Sequence, residues 1–245
     1  MFIIPALVYA KLFENGSRKF YFLRRKASLV IVLIGGFAMI LLLPFVNWLG
    51  DINAAMSLPS SMKGLEEWMK IAESSAEAMI LAFVSETQWH VLIVNLFMIA
   101  IIPAIGEELI FRGIIMRKLK DWFGNVHVAV IVSAIIFSAF HMQFYGFLPR
   151  MFLGIVLGYM FVWSGSLWLP MFAHFVNNGF AVVIAWLHAS GRLEQDMDSF
   201  GNFTHAPGTL ILITAMAFFI LALLWYVNKK TNLHYCNYKH EQDSR

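Results

Sequence analysis

Residues His90–Ile105 form the uncharged stretch HVLIVNLFMIAIIPAI, which continues without a break into GEELIFRG at Gly106–Gly113. A helix running from about residue 90 to 120 is long enough to cross the roughly 30 Å hydrocarbon core of a bilayer. Charged side chains are costly inside that core and are rarely kept there without a use. The Glu-Glu-Arg group on this apolar helix therefore indicates a polar site inside a membrane protein.

The same apolar character recurs along the chain. Of 245 residues, 60% are hydrophobic and 13% are charged, whereas a soluble domain carries about a quarter charged residues. The clearest uncharged stretches are Ser28–Leu49, His90–Ile105, Val126–Phe140, Met151–Trp163, Leu167–Leu187 and Thr209–Val227. We predict an all-α, polytopic transmembrane helix bundle with about six to seven spans. The compact chain with short loops indicates a multi-pass protein of the bacterial inner membrane.

Charge follows the order of the spans. Basic residues cluster at Arg18, Lys19, Arg24, Arg25 and Lys26, at Arg117, Lys118 and Lys120, and at Lys229 and Lys230. Acidic residues predominate in the connections 50–88 and 188–208. If every span crosses, the basic clusters share one side, which should be the cytoplasm. The net charge of +3 is thus a topology signal and predicts no nucleic-acid partner, and the single cysteine, Cys236, excludes an internal disulfide.

Two segments near the N-terminus differ from the spans. Apolar residues recur at three- and four-residue intervals over 65–83, with acidic residues between them. This pattern predicts an amphipathic helix that lies in the outer interface or packs on the bundle. Met1–Phe13 is apolar but too short to span, so we expect a half-inserted segment or a missing upstream portion.

Arg150, next to Pro149, is expected to anchor the outer interface or cap a helix.

The Glu-Glu-Arg group has its own geometry. Glu108 and Arg112 are four residues apart and share a helix face, so they are predicted to form an ion pair. Glu107 is rotated from Glu108 by about 100° and is left without a counter-charge of its own. We expect Glu107 to take a proton from water. The alternative is a purely structural Glu–Arg cluster that holds helices together.

Two later spans carry further polar side chains. His141 lies at the far end of Val126–Phe140, where a lone histidine is also typical of an interface residue. His174 and Asn178 are four residues apart and can aim at one point, whereas Asn177 is predicted to point elsewhere. At about 1.5 Å per residue, the depths of these groups along their helices permit convergence but do not prove it.

These elements resemble the EExxxR, FxxxH and HxxxN motifs of the CPBP group of intramembrane proteases, which includes the CAAX prenyl endopeptidases and bacteriocin-processing or immunity proteins. Here the motif residues are Glu107, Glu108 and Arg112, then Phe137 and His141, then His174 and Asn178. The resemblance covers about residues 90–190. It divides the chain into an N-terminal membrane region (1–88), a CPBP-type catalytic core (89–190), and a last transmembrane helix with a cytoplasmic tail (191–245).

The resemblance implies a helical membrane fold with a polar cavity that opens towards the cytoplasm. It implies that Glu107 and His141 activate a water, while His174 and Asn178 bind the oxyanion of the intermediate or help to bind a metal. Zinc or another divalent metal would have to be held by Glu107, His141 and His174. The chain has no HExxH sequence, which would give a compact zinc pair, so the metal question stays open.

Three functions are compatible with these residues. The first is a metallo- or glutamate-dependent endopeptidase that acts in the bilayer on a membrane-associated peptide or protein. The second is a non-catalytic membrane partner, such as a bacteriocin-immunity protein that binds a peptide in the same cavity. The third is a transporter or proton relay, which predicts similar halves or helices broken within the membrane, and the sequence has neither.

Overall fold

The computed structural model describes residues 2–13, 23, 25–195, 200–203 and 206–230, and its secondary structure is helical throughout. The eight main helices of these residues are α1 (Ile3–Phe13), α2 (Leu29–Ala54), α3 (Lys63–Val84), α4 (Trp89–Phe123), α5 (Val126–Phe140), α6 (Phe147–Ser164), α7 (Trp168–Ala189) and α8 (Pro207–Lys230). The predicted all-α bundle is confirmed. Arg18, Lys19, Arg24 and most of the predicted cytoplasmic tail, with Cys236, lie outside the described residues.

Five helices, α2, α4, α6, α7 and α8, are long and apolar enough to cross a membrane. The predicted span Val126–Phe140 forms a shorter apolar helix, α5, of 15 residues, and α1 is a second short apolar helix. The chain is therefore a multi-pass membrane protein, whose described residues contain five helices long enough to span and two shorter apolar helices. Small buried side chains of α1, Ala6 and Ala10, pack into the core beside α4.

Tight turns join the helices at the end that carries the basic clusters. Gly124 follows α4 with a φ of 67°, a left-handed conformation that glycine adopts without a steric penalty. Asn125 then caps α5, because its Oδ1 accepts the backbone N–H groups of His127 at 2.8 Å and Val128 at 3.3 Å. The turn makes α4 and α5 an antiparallel hairpin, and Gly165 ends α6 in the same conformation.

Helices α5 and α6 approach closely through small residues. A Cβ built on Gly154 would lie 3.0 Å from the Cβ of Ala134, and one on Gly158 would lie 3.0 Å from a methyl group of Val130. Small residues allow such close backbone contact between membrane helices, where packing replaces the hydrophobic effect as the main attraction. The approach brings the backbone of Gly154 within reach of side chains on α4.

The predicted amphipathic helix is confirmed as α3, which follows a single 3₁₀ turn, Ser60–Met62. Large apolar side chains such as Trp68 and Ile80 remain exposed on it, as expected for a helix lying in the membrane interface. The helix also contacts the bundle, because Oε2 of Glu73 accepts the backbone N–H of Tyr145 at 3.1 Å. The structure thus confirms that this helix packs on the bundle, and its exposed apolar side chains are compatible with the interface.

Candidate active site

Two π-helical segments of α4, Leu96–Ile101 and Phe111–Ile115, flank its acidic pair. A π turn inserts a residue into the helix and disturbs its regular hydrogen bonding, which in lipid needs other partners. Side chains from neighbouring helices supply two of them. Asn178 of α7 donates to the carbonyl of Ile99 at 3.5 Å, and Ser133 of α5 donates to the carbonyl of Phe111 at 3.2 Å. These contacts hold α4 against α7 before the acidic pair and against α5 after it.

The predicted ion pair between Glu108 and Arg112 forms and is buried. Nη1 of Arg112 lies 2.7 Å from Oε1 of Glu108, and Nη2 donates to the carbonyl of Gly154 at 2.8 Å. The guanidinium also lies over the ring of Phe137, 5.0 Å from its centroid. Nδ1 of His174 reaches the same Glu108 oxygen at 2.9 Å. Helices α4, α5, α6 and α7 are therefore joined by a single polar cluster.

Glu107 faces two histidines from two other helices. Its Oε2 lies 4.0 Å from Nε2 of His141 and 3.9 Å from Nε2 of His174. These distances are too long for direct hydrogen bonds, but two groups that hold one water between them are separated by about 4 Å. The structure thus brings Glu107, His141 and His174 around one point, with Glu107 buried and His141 half-buried.

The partners of the two Nδ1 atoms show which ring nitrogen of each histidine carries a proton. Nδ1 of His141 lies 2.8 Å from the carbonyl of Phe137, and Nδ1 of His174 lies 2.9 Å from a carboxylate oxygen of Glu108. Carbonyl and carboxylate oxygens only accept, so both Nδ1 atoms donate. In the neutral form of each imidazole, the Nε2 atom directed towards Glu107 is then a hydrogen-bond acceptor.

Asn178 lies one helical turn beyond His174 and is half-buried. Its amide nitrogen contacts the carbonyl of Ile99, and its oxygen accepts from the amide of Asn177 at 3.2 Å. Asn177 contacts Asn178, but no hydrogen bond among the described residues joins it to Glu107, His141 or His174. Within the described residues no hydrogen bond joins Asn178 to His174 or to Glu107. Its second amide N–H makes no hydrogen bond there.

The three predicted metal ligands were tested against zinc geometry. Bonds of about 2.0–2.2 Å in a tetrahedral site separate two ligand atoms by about 3.4 Å. The distances from Glu107 to the two Nε2 atoms, 3.9 and 4.0 Å, exceed this value. In the part of the chain that the structure describes, no three His, Cys, Asp or Glu side chains are arranged to hold a metal ion. The residues as arranged do not fit zinc, and no chemical step is assigned to a metal.

Sequence reasoning missed the position of Arg150. This residue lies in the first turn of α6, where its charge interacts with those of Glu73 and Glu107. Its guanidinium packs on Gly146, at the end of the loop between α5 and α6. Asn53 of α2 fixes this loop, because its amide donates to the carbonyl of Phe144 at 2.8 Å and its oxygen accepts the N–H of Leu148 at 2.7 Å. A charge beside a proline at the start of a span was the only signal in the sequence.

His141 and Arg150 both lie at the end of the bundle where the acidic connections are. If the basic clusters face the cytoplasm, this end faces away from it. The family resemblance instead implies a cavity that opens towards the cytoplasm. The two expectations rest on different grounds, charge distribution and resemblance, and a labelling experiment at the loop around Tyr145 separates them.

Comparison with known proteins bears on the helices that form this site. Residues 88–180, from the start of α4 to the middle of α7, match the family model described as Type II CAAX prenyl endopeptidase Rce1-like. The matched segment contains all seven motif residues. No solved structure matches the chain significantly.

Curated bacterial proteins are similar over about the same length. The membrane-embedded CAAX protease MroQ of Staphylococcus aureus is 34% identical over 99 residues, which are 38% of this chain and 40% of that protein. The putative membrane peptidase YdiL of Bacillus subtilis is 30% identical over 96 residues, 39% of each chain. The uncharacterized B. subtilis protein YpbD is 28% identical over 99 residues, 38% of this chain and 48% of YpbD.

The aligned region spans less than half the length of each of these relatives. The match therefore concerns the segment that contains the buried ion pair, Glu107 and the two histidines, and not the whole chain. Residues 88–180 of this membrane protein are similar to the Rce1-like CAAX prenyl endopeptidase family.

Proposed function

We propose that this chain is an intramembrane endopeptidase that hydrolyses a peptide bond of a membrane-associated peptide or protein. One observation carries the proposal: a buried carboxylate, Glu107, faces two imidazole nitrogens, Nε2 of His141 and Nε2 of His174, at 4.0 and 3.9 Å. A water between such groups is held and polarised as a hydrolytic nucleophile requires. The descriptions of MroQ as a protease and of YdiL as a putative peptidase support the same reading.

The first step is attack by water. Glu107 takes a proton from the water while Nε2 of His141 accepts its second O–H, which orients the oxygen lone pair towards the scissile carbonyl carbon. A bond forms between the water oxygen and that carbon, and the carbonyl electrons move to its oxygen. The Nδ1–H of His141 stays on the Phe137 carbonyl and fixes the ring.

The second step is stabilisation and collapse of the tetrahedral intermediate. Asn178 offers its free amide N–H to the oxyanion, and His174 in its imidazolium form offers Nε2–H while Nδ1 remains on Glu108. Donors placed where negative charge develops lower the barrier. The carbon–nitrogen bond then breaks, and the proton held by Glu107 passes to the leaving amine.

The buried ion pair positions these groups. Glu108 accepts from both Arg112 and His174, so the imidazole of His174 is held at a fixed height beside Glu107. Arg112 in turn binds the backbone of α6 through Gly154. Replacing either member would move His174, and activity would fall without loss of a group that touches the substrate.

The proposal is tested by cleavage measured in detergent with a pool of quenched fluorescent peptides. The wild type should cleave, whereas Glu107→Gln should lose at least about a thousandfold in rate because the proton acceptor is gone. His141→Ala should lose about a hundredfold or more. Glu67→Gln, on the exposed side of α3, is the matched control and should keep full activity. Equal rates in all four proteins would disprove these roles.

The same variants separate the enzyme from a non-catalytic peptide-binding or immunity protein. Such a protein should bind peptide and retain most of its biological effect in the Glu107→Gln form. Metal analysis of the purified protein, with activity measured before and after chelation, separates a glutamate-dependent enzyme from a metalloprotease. Activity that a chelator abolishes and zinc restores would assign Glu107, His141 and His174 to a metal.

A further inference from the structure

His141 differs from Glu107 and His174 in where it lies on its helix. Glu107 and His174 lie within α4 and α7, whereas His141 follows the last residue of α5 and begins the loop that leads to α6. Met142, the next residue, has a φ of 54° and is the only non-glycine residue with a positive φ in the described part of the chain. A side chain disfavours this conformation, which persists where surrounding contacts hold the backbone. The position of His141 therefore depends on what holds this loop.

The first contact that holds the loop comes from α2. Asn53 is only 1% exposed and uses both ends of its amide on the chain between α5 and α6. Its nitrogen donates to the carbonyl of Phe144 at 2.8 Å, and its oxygen accepts the N–H of Leu148 at 2.7 Å. A buried amide that both donates and accepts fixes two points of the loop at once, and leaving either backbone group unpaired would be unfavourable.

The second contact comes from α3, on the next residue of the loop. Oε2 of Glu73 accepts the N–H of Tyr145 at 3.1 Å, directly after the carbonyl of Phe144 that Asn53 binds. Within α5, the hydroxyl of Ser138 donates to the carbonyl of Phe147 at 2.7 Å and closes the loop on its own helix. Two helices that precede the matched segment thus hold the loop that begins at the histidine.

We infer that Asn53 and Glu73 are positioning residues for His141, which keep its imidazole beside Glu107 by holding the loop that follows it. This inference rests on the proposed function, because that function gives His141 its role in hydrolysis. Neither residue forms a hydrogen bond with Glu107 or His141 among the described residues, so both act through the backbone of the loop. Residues 88–180 then depend on α2 and α3 for the geometry of their own site.

A kinetic experiment with the quenched fluorescent peptide pool tests the role of Asn53. Asn53→Ala should lower kcat by about 10-fold to 100-fold and change KM by less than about twofold, because the loop holds a water-activating group and not the bound peptide. Asn47→Ala is the matched control, since Asn47 also lies on α2 and donates to a backbone carbonyl, that of Phe200, in a different loop. Equal losses of kcat in the two variants, or an effect confined to KM, would overturn the inference.

Glu73 gives a second test that does not alter a buried residue. Glu73→Ala, on the largely exposed helix α3, removes the acceptor for Tyr145 and should lower kcat by about threefold to tenfold. Glu73→Gln keeps an accepting oxygen and should restore the wild-type kcat. Glu77→Ala, at an exposed position one turn further along α3, is the control and should have no effect. A wild-type kcat in Glu73→Ala, or a Glu73→Gln protein as slow as Glu73→Ala, would overturn the role of this contact.

A measurement that needs no cleavage separates this inference from the proposed function. Diethyl pyrocarbonate acylates accessible imidazoles, and mass spectrometry gives the rate at His141 relative to His90, an exposed histidine at the start of α4. The His141 side chain is 30% exposed, so release of the loop should raise its relative rate at least about threefold in Asn53→Ala and Glu73→Ala, but not in Asn47→Ala. This rise supports the inference even if the wild type cleaves nothing. Unchanged rates overturn it even if the wild type is an active protease.

Discussion

Helices α3 and α4 contain the same ion-pair pattern in different surroundings. Glu66 and Lys70 in α3 are 2.8 Å apart, and Glu108 and Arg112 in α4 are 2.7 Å apart, each pair separated by four residues. The Lys70 side chain is 59% exposed, whereas that of Arg112 is 2% exposed. Water competes for the first pair and not for the second, so only the second is expected to determine the structure.

The two pairs also differ in what they join. The α3 pair links two side chains of one helix. The α4 pair is extended by His174 on Glu108 and by Gly154 on Arg112, so it connects three helices. Identical spacing therefore predicts the contact in both cases, while the consequence of the contact depends on burial and on the further partners.

The largest effect on stability is expected from Arg112→Gln. Removing this guanidinium leaves Glu108 as a buried carboxylate without its counter-charge, which costs about 3–5 kcal/mol in the free energy of unfolding. Unfolding of the detergent-solubilised protein, followed by heat or by denaturant, measures the change. Lys70→Gln, the equivalent change in α3, is the control. Similar effects of the two substitutions would contradict the distinction drawn between the pairs.

Substitution of the two adjacent glutamates should affect stability to different degrees. Glu108→Gln leaves the buried guanidinium of Arg112 without its counter-charge but keeps an oxygen that can accept from it, so we expect a loss at the lower end of that range, about 3 kcal/mol. Glu107→Gln breaks no direct hydrogen bond to His141 or His174, so the stability should change by less than about 1 kcal/mol. The same unfolding measurement applies. A Glu107→Gln protein as unstable as Glu108→Gln would make Glu107 a structural residue and weaken the proposed function.

Local spacing was enough to predict much of this region. The apolar stretches fall in the observed helices, α3 lies where the amphipathic pattern predicted it, and the Glu108–Arg112 pair follows from helical geometry. The proximity of Glu107, His141 and His174 could not be predicted in the same way. Their estimated depths along the helices were compatible with it but did not require it. That estimate assumed uniform helices, whereas α4 contains two π segments that change the rise and the direction of its side chains.

Other features of the site depend on tertiary contacts. The position of Arg150 is set by the loop before α6, by Gly146 beneath its guanidinium and by the contacts of Asn53 with that loop. None of these has a periodic signature, because each joins residues far apart in the chain. The roles of Glu107, His141, His174 and Asn178 in hydrolysis remain predictions, since proximity alone does not assign a role.

A smaller effect on stability is expected where a neighbouring helix donates a hydrogen bond to a carbonyl of a π segment. Ser133→Ala removes the donor to the carbonyl of Phe111, a contact that is buried among helices. The expected loss is about 1 kcal/mol in the free energy of unfolding. Ser74→Ala is the matched control, because Ser74 donates to the carbonyl of Ile71 at 3.0 Å on the exposed surface of α3. Equal losses would mean that the π segment needs no external donor.

The smallest effect is expected at the exposed pair itself, and it is best detected by titration. The hydrogen bond from Lys70 holds the pKa of Glu66 below its ordinary value, and the same contact raises the pKa of Lys70. Because the pKa of folded Glu66 is depressed, any stability from the pair is present at neutral pH and is lost as the pH falls through that pKa. Exposure to solvent keeps this contribution below what unfolding measurements resolve.

Lys70→Gln should therefore raise the pKa of Glu66 towards its ordinary value and leave the unfolding temperature unchanged. The measurement is a carbon-13 NMR titration of the Glu66 carboxyl in detergent, with Glu67, an exposed neighbour without such a contact, as the internal reference. An unchanged pKa would assign the depression to the other groups near Glu66, such as the backbone at Leu58. A clear drop in unfolding temperature would instead show that α3 depends on its ion pair as α4 does, because the solvent around α3 would then compete less than its exposure implies.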